Sequence, residues 1–245
     1  MRRFFWHDLE GEVSIGGAEA KHIARVLRMQ EGDGLILFDG SGFDYYGKIE
    51  MIGEDFVRVK IVEKKYSDAE LPGNLTIYQA VIKNDHLDYA VQKCTELGAS
   101  EIVPFLSERC VKRPDEKSAQ RLVERQRRIA LEASKQCGRS RIPKVTGVIG
   151  LQDVAGEIEA GKDLALFAYE NEEKITIRDI LTRGQNMENI SVIVGPEGGF
   201  TSDEAVLLMQ SGAQSCSLGN LILRSETAGP AACAMIQYHF MGEEK

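Results

Sequence analysis

The apolar run Ile190 to Val194 is followed at once by Gly195-Pro196-Glu197-Gly198-Gly199-Phe200 and then by a helix start, Thr201-Ser202-Asp203-Glu204. Three glycines in six residues make a turn, because glycine takes positive φ freely and lets another group come close to the backbone. Strand, glycine turn and helix in succession belong to a sheet whose strand ends carry a ligand loop. The same order returns about twenty residues on. Leu218-Gly219-Asn220-Leu221-Ile222-Leu223-Arg224-Ser225-Glu226-Thr227-Ala228 follows a short apolar stretch and leads into an apolar helix expected to begin near Pro230. Each turn alone is also an ordinary strand-to-helix connection. Two at successive strand ends predict one pocket.

The rest of the chain has two textures. Residues 1 to about 65 are β-rich: Tyr45, Gly47, Ile49 and Met51 alternate with Tyr46, Lys48 and Glu50, and Val57, Val59 and Ile61 alternate with Arg58 and Lys60. That pattern fits a small barrel or curled sheet with one buried face. One helix interrupts it, with Ala20, Ile23, Ala24 and Leu27 as an apolar stripe and Lys21, Arg25 and Arg28 as a basic row. Lys64 to Gly73 is polar, ends in Pro-Gly, and is expected to be the linker. Beyond it, strands at Leu75 to Ile82, Glu101 to Phe105, Leu164 to Phe167 and Ile190 to Val194 alternate with helices at Asp85 to Leu97, Asp115 to Cys137 and Ser202 to Ser211. This alternation predicts an α/β domain with a mainly parallel sheet covered on both faces. The domains are expected at 1–70 and 71–245.

Net charge is -8 over 245 residues, yet the charge is uneven. Residues 1–108 carry a net -7, residues 109–144 a net +8 and residues 145–245 a net -9. Charges more than about 10 Å apart are largely screened at ordinary salt, so a basic segment in an acidic protein still binds phosphates. The five cysteines are odd in number and never form C-x-x-C, and the four histidines form no metal-binding spacing. No metal is therefore expected. No apolar run approaches the roughly 20 residues of a membrane helix, and the first residues lack a signal-peptide core, so a cytoplasmic protein is expected.

The two glycine segments resemble the paired signature of the RsmE family of ribosomal RNA uridine-N3 methyltransferases, in the SPOUT class. Other blocks extend the likeness along the chain: His22 to Arg28 with Gly32-Asp33 and Phe38 to Gly42, then Val91 to Gly98 with Ile102, Pro104 and Ser107-Glu108-Arg109, then Glu132 to Arg139. The resemblance implies a C-terminal α/β domain threaded into a trefoil knot, preceded by a small PUA-like barrel. It also implies S-adenosylmethionine as cofactor, 16S ribosomal RNA of the small subunit as partner, and a homodimer through the knot domain.

By the same resemblance, the cofactor is wrapped by Gly195, Glu197, Gly198 and Gly199 of the first turn and by Leu218, Gly219, Ile222, Leu223 and Thr227 of the second, with Phe167 closing an apolar wall. Phe167 alone also fits as a core aromatic. Methylation at N3 of uridine requires loss of the imide proton, to a base or with help from nearby positive charge. The candidates are Glu197, Glu226 and Arg224. Each has a structural alternative, since either glutamate can bond turn amides and Arg224 can pair with one of them. Thr201 and Glu204 form a T-x-x-E capping box and are expected to be structural. The RNA is expected to be held by Lys21, Arg25, Arg28, Lys93, Arg109, Arg139 and Arg141, although charged helix faces are also commonly just solvated.

No G-x-G-x-x-G follows the first strand of the α/β part, and no G-x-x-x-x-G-K-[ST] occurs, which argues against Rossmann and P-loop enzymes. A ribose 2'-O RNA methyltransferase of the same class and a non-catalytic RNA-binding protein remain as alternatives.

Overall fold

The computed structural model describes residues 1–71, 73–161, 164–183 and 188–241. The chain packs as two units, Met1–Glu70 with Ser134–Ile142, and Leu71–Ala133 with Pro143–Lys245.

In the first unit, β1 (Arg2–Phe5), β2 (Glu12–Gly16), β3 (Gly34–Phe38), β4 (Phe43–Ile52) and β5 (Phe56–Tyr66) form one sheet in the order β1-β3-β4-β5-β2. The β1–β3 pair is parallel and the others are antiparallel, so the sheet is mixed. Register shifts at Tyr46/Gly47 and Ile49/Met51 bend β4 against β5, as bulges do. The inward residues Phe4, Val13, Ile15, Leu35, Leu37, Ile49, Val57 and Val59 form one core.

The expected helix over residues 20–28 is shorter and differently wound. The helix α1 (Gly17–Lys21) passes into a π-helical turn at His22–Val26, closed by Leu27 N–H on the His22 carbonyl at 2.9 Å. Ile23 is still fully buried, but Arg28 lies past the helix with φ +52°. Lys21, Arg25 and Arg28 therefore do not form an α-helical row, because the wider π turn breaks the spacing. The expected linker also starts too early: β5 runs through Lys64 to Tyr66.

In the second unit, β6 (Asn74–Ala80), α2 (Asn84–Glu96), β7 (Glu101–Leu106), α3 (Glu116–Cys137), β8 (Lys144–Val145), β9 (Ile149–Gly150), α4 (Leu151–Ala160), β10 (Leu164–Ala168), α5 (Ile177–Leu181), β11 (Asn189–Val194), α6 (Ser202–Gln210), β12 (Gln214–Cys216) and α7 (Ser225–Met241) follow in order. The last residues of α3 belong to the first unit. The strands are parallel in the order β12-β10-β11-β6-β7-β8, with β9 beside β7. A late strand, β11, thus sits between β6 and β10. The sheet has a second helical layer: α7 packs on α2, α5, β6 and β11, while α4 packs on α6 and β7. Along β6 the side chains alternate accordingly. Tyr78 and Ala80 enter the core that holds α4 and α6 residues, and Ile77 and Gln79 lie under Gly229 of α7.

The last helix begins at Ser225, earlier than expected, and runs through Pro230. Pro230 has no N–H to offer the Glu226 carbonyl, so the helix gives up one interior hydrogen bond there. Glu226 and Thr227 are consequently helical residues.

Candidate functional site

Three parallel strands, β10, β11 and β12, end side by side. The chain leaving each one lines a cleft of about 420 Å³, walled by Ala168 to Glu170, by Gly195, Pro196 and Gly199, and by Ser217 to Leu223, with Ser225 and Ala228 of α7 at the base. Ligand sites of α/β sheets lie at this carboxyl edge.

The first loop is fixed by its own Phe200. That ring turns back into the core, stacking at 6.3 Å on Phe105 and meeting Phe167 edge-on at 4.9 Å. A Cβ on Gly195 would lie 2.6 Å from the Phe200 ring, so only glycine fits beneath it. Arg109 braces the same loop, donating from Nη1 to the carbonyls of Gly198 at 3.0 Å and Phe200 at 3.3 Å. The capping box is present: Glu204 N–H donates to Thr201 Oγ1 at 3.2 Å, and Thr201 N–H to Glu204 Oε2 at 2.9 Å. Gly199 has φ +66° and faces the Glu170 carboxylate so closely that a Cβ would strike it.

The second loop is held by Ser217, whose hydroxyl donates to the Gly219 carbonyl at 2.9 Å. Gly219 takes φ +131°, which L side chains rarely adopt. Leu221 and Ile222 are 80% and 86% exposed, on the rim of the cleft. Ser225 joins the loops, donating to the Gly195 carbonyl at 2.5 Å and accepting from Gln79 Nε2 at 3.0 Å.

Three carboxylates line the cleft. Glu172 accepts from Ser215 Oγ at 2.7 Å, Lys174 N at 2.9 Å and Ile175 N at 3.0 Å. These bonds, led by that from Ser215, hold its pKa below the ordinary value, so it is an ionised structural group. Glu170 and Glu173 are exposed on the rim. Cys216 is also on the wall, but burial, aided by the Glu172 charge, pushes its thiol up to about 12.

The predicted cofactor residues fall into two groups. Gly195, Gly199, Leu218, Gly219, Ile222 and Leu223 line the cleft. Phe167, Glu197, Gly198 and Thr227 do not: Phe167 is fully buried under Tyr169 and Phe200, and Glu197 points away to accept from Lys83 N–H at 3.3 Å. Glu226 and Arg224 lie just beyond, with Arg224 Nη1 3.9 Å from Glu226 Oε1 and His86 Nδ1 3.7 Å from the same oxygen. Tyr169, Glu170, Ser217 and Ser225 line the cleft without having been expected there, and His86 meets Glu226 beside it. For the first three, the ends of β10 and β12 were the available signal.

The predicted RNA cations meet different surroundings. Lys21, Arg25 and Arg28 are exposed, with Lys21 Nζ 3.7 Å from Asp55. Lys93 pairs with Glu96 at 2.8 Å. Arg109 is spent on loop carbonyls as described. Arg139 is buried, its Nη2 2.7 Å from Glu70 Oε2, which corrects the expectation of a phosphate-facing side chain. Glu70 Oε1 also accepts from the main-chain N–H of Ser140 and Arg141, at 3.1 and 2.8 Å. Burying this pair is costlier than leaving it in water, and the bonds offset that.

Among the described residues no group of three or more His, Cys, Asp or Glu is placed to hold a metal ion. No helix among them is long and apolar enough to cross a membrane.

Residues 69–237 match the family model of an RNA methyltransferase domain, and residues 15–62 match that of an RNA methyltransferase PUA domain. The chain is 34% identical to ribosomal RNA small subunit methyltransferase E of Bacillus subtilis, across 97% of this chain and 96% of that protein. It is 33% identical to the protein of the same name from Rickettsia conorii, across 88% and 85%. A crystal structure of ribosomal RNA small subunit methyltransferase E from Neisseria gonorrhoeae bound to S-adenosyl methionine superposes with a TM-score of 0.85 at 30% identity, covering 97% of each chain.

Proposed function

This chain belongs to the family of ribosomal RNA small subunit methyltransferases E, and from that premise we propose that it methylates N3 of a specific uridine in 16S ribosomal RNA, using S-adenosylmethionine held in the cleft. The observation that carries the reading is the cleft itself. Two glycine loops at adjacent strand ends leave backbone open on two sides, Leu218, Leu221, Ile222 and Leu223 give an apolar slot, and Glu170 and Glu173 put negative charge on the rim. An aromatic base, a ribose and a cationic centre fit that combination.

When bound, S-adenosylmethionine supplies an electrophilic methyl group. The protein's own contribution is placement and proton handling. Phe200, Arg109 and Ser225 hold the loops in one geometry, so that little ordering is left to binding. Ile222 and Leu221, exposed on the rim, would cover apolar surface of the occupant and keep water from it. The neutral imide nitrogen offers no free electron pair, so a group near Glu197, Arg224 and Glu226 must take its proton or stabilise the anion.

Lys21, Arg25 and Arg28 in the first unit are proposed to hold RNA phosphates. The exposed Tyr238 and Met241 of α7 support a homodimer formed on that helix. The test is transfer of labelled methyl to small subunits from cells lacking the protein, followed by nucleoside analysis. Labelled 3-methyluridine is expected. A label on ribose, or no transfer and no binding of S-adenosylmethionine, would overturn the reading.

A further inference from the structure

His86 stands in the first turn of α2, outside the cleft, and faces the residue that follows the cleft-lining Ser225. Its Nδ1 is buried without a hydrogen-bond partner and lies 3.7 Å from Glu226 Oε1. The Glu226 side chain is only 12% exposed, and His86 Nδ1 and Arg224 Nη1 face its Oε1 at 3.7 and 3.9 Å, neither within hydrogen-bond distance. A mostly buried carboxylate facing a buried imidazole nitrogen has one economical arrangement, an N–H on Nδ1 directed at the carboxylate. The tautomer follows from that partner. The other nitrogen, Nε2, is then a free acceptor, with the exposed Asp85 carboxylate 3.9 Å away.

The surroundings are those of an acceptor site. Pro196 and Ser225 line the cleft, while the next residue of each loop, Glu197 or Glu226, contacts the start of α2 at Lys83 or His86. The two loops that line the cleft thus also reach this cluster. Arg224 is 81% exposed beside it, able to meet a phosphate or an anionic ring.

We propose that His86, oriented by Glu226, is the base that receives the imide proton of the target uracil. This rests on the methyltransferase reading above. The N3–H bond breaks, the proton forms a new N–H bond on Nε2, and the electron pair stays on the ring nitrogen, ready for methyl transfer. Glu226 stabilises the imidazolium and does not itself take the proton. The arrangement is a carboxylate-oriented histidine, whose long contact tightens when substrate excludes water.

His86→Ala, Glu226→Gln and the wild type would be compared by single-turnover methyl transfer across pH 6 to 9, by calorimetry with S-adenosylmethionine, and by nitrogen-15 spectra of labelled histidine. His86→Ala is expected to lose about 10²–10⁴-fold in rate while still binding S-adenosylmethionine. Its residual rate should climb with pH, as hydroxide replaces the missing base, and added imidazole should restore part of it. Glu226→Gln should lose less, and its His86 spectrum should shift away from the Nδ1–H form. A His86→Ala rate equal to wild type, or an unchanged pH profile, overturns the role of His86. An unchanged histidine spectrum in Glu226→Gln overturns that of Glu226. Absence of transfer by the wild type would instead sink the methyltransferase reading, and the spectra would still decide the His86–Glu226 pairing.

Discussion

The hydroxyl of Ser225 donates to the carbonyl of Gly195 at 2.5 Å, across 30 positions of sequence, and so fastens the start of the last helix to the loop that ends β11. Gln79, buried beneath both, donates to the same hydroxyl at 3.0 Å. Replacing Ser225 by Ala leaves the Gly195 carbonyl and the Gln79 amide short of a partner, which costs about 1–3 kcal/mol. Urea denaturation should register that loss. Calorimetry should also find weaker binding of S-adenosylmethionine, because the two loops are no longer tied. Unchanged affinity would mean that Phe200 and Arg109 hold the cleft unaided.

Gly195→Ala tests the fit beneath Phe200. The added methyl would stand 2.6 Å from the ring, and moving the ring disturbs its packing on Phe105 and Phe167. The expected cost is about 1–3 kcal/mol of overpacking. Combining the change with Phe200→Leu should cost less than the sum of the two single changes, since they share one clash. Simple additivity in thermal melts would contradict the shared clash.

Arg139 and Arg25 should behave in opposite ways. Arg139→Ala strands the buried Glu70 carboxylate and should destabilise the protein by about 3–5 kcal/mol. Arg25→Ala touches an exposed cation and should change stability by less than about 0.5 kcal/mol. In RNA titrations at several salt concentrations, Arg25→Ala should reduce the slope of log K against log salt by about 0.7–0.9. A stable Arg139→Ala protein would refute the structural role.

The cysteines supply a reactivity and a pH test. Cys94, Cys110, Cys216 and Cys233 are buried and Cys137 is partly exposed, so alkylation of the native protein should label Cys137 first. Burial raises the Cys216 thiol to about 12 from an ordinary value of 9.0. Above that ordinary value the unfolded chain loses its proton and the folded one keeps it. This contribution is therefore complete below about pH 9.0 and is lost as pH rises toward 12. Cys216→Ala should show a shallower decline of stability over that alkaline range. An unchanged decline would assign it to other groups.

Much of the second unit is legible in the sequence because its signals are local. The strand at Ile190 to Val194, the Thr201-x-x-Glu204 start and the glycine stops after α2 and α3 depend on residues a few positions apart. At residues 20–28 the local signal is weak. An apolar stripe fits an α turn or a π turn nearly as well, and Ile23 is buried in the π turn that forms. The onset of α7 is hidden by Pro230, because proline favours the first helical position and so points to a start later than Ser225.

The alternation of strands and helices, the two glycine loops and the apolar residues that flank them can be read directly from the order of residues. Those follow from backbone freedom and from hydrophobic period, which act between near neighbours. Folding is what puts β11 between β6 and β10, Phe167 in the core, Tyr169 in the cleft and Arg139 against Glu70. It alone brought His86 to Glu226. Such pairings depend on which distant groups are left without water, and desolvation is a property of the packed chain that no local pattern records.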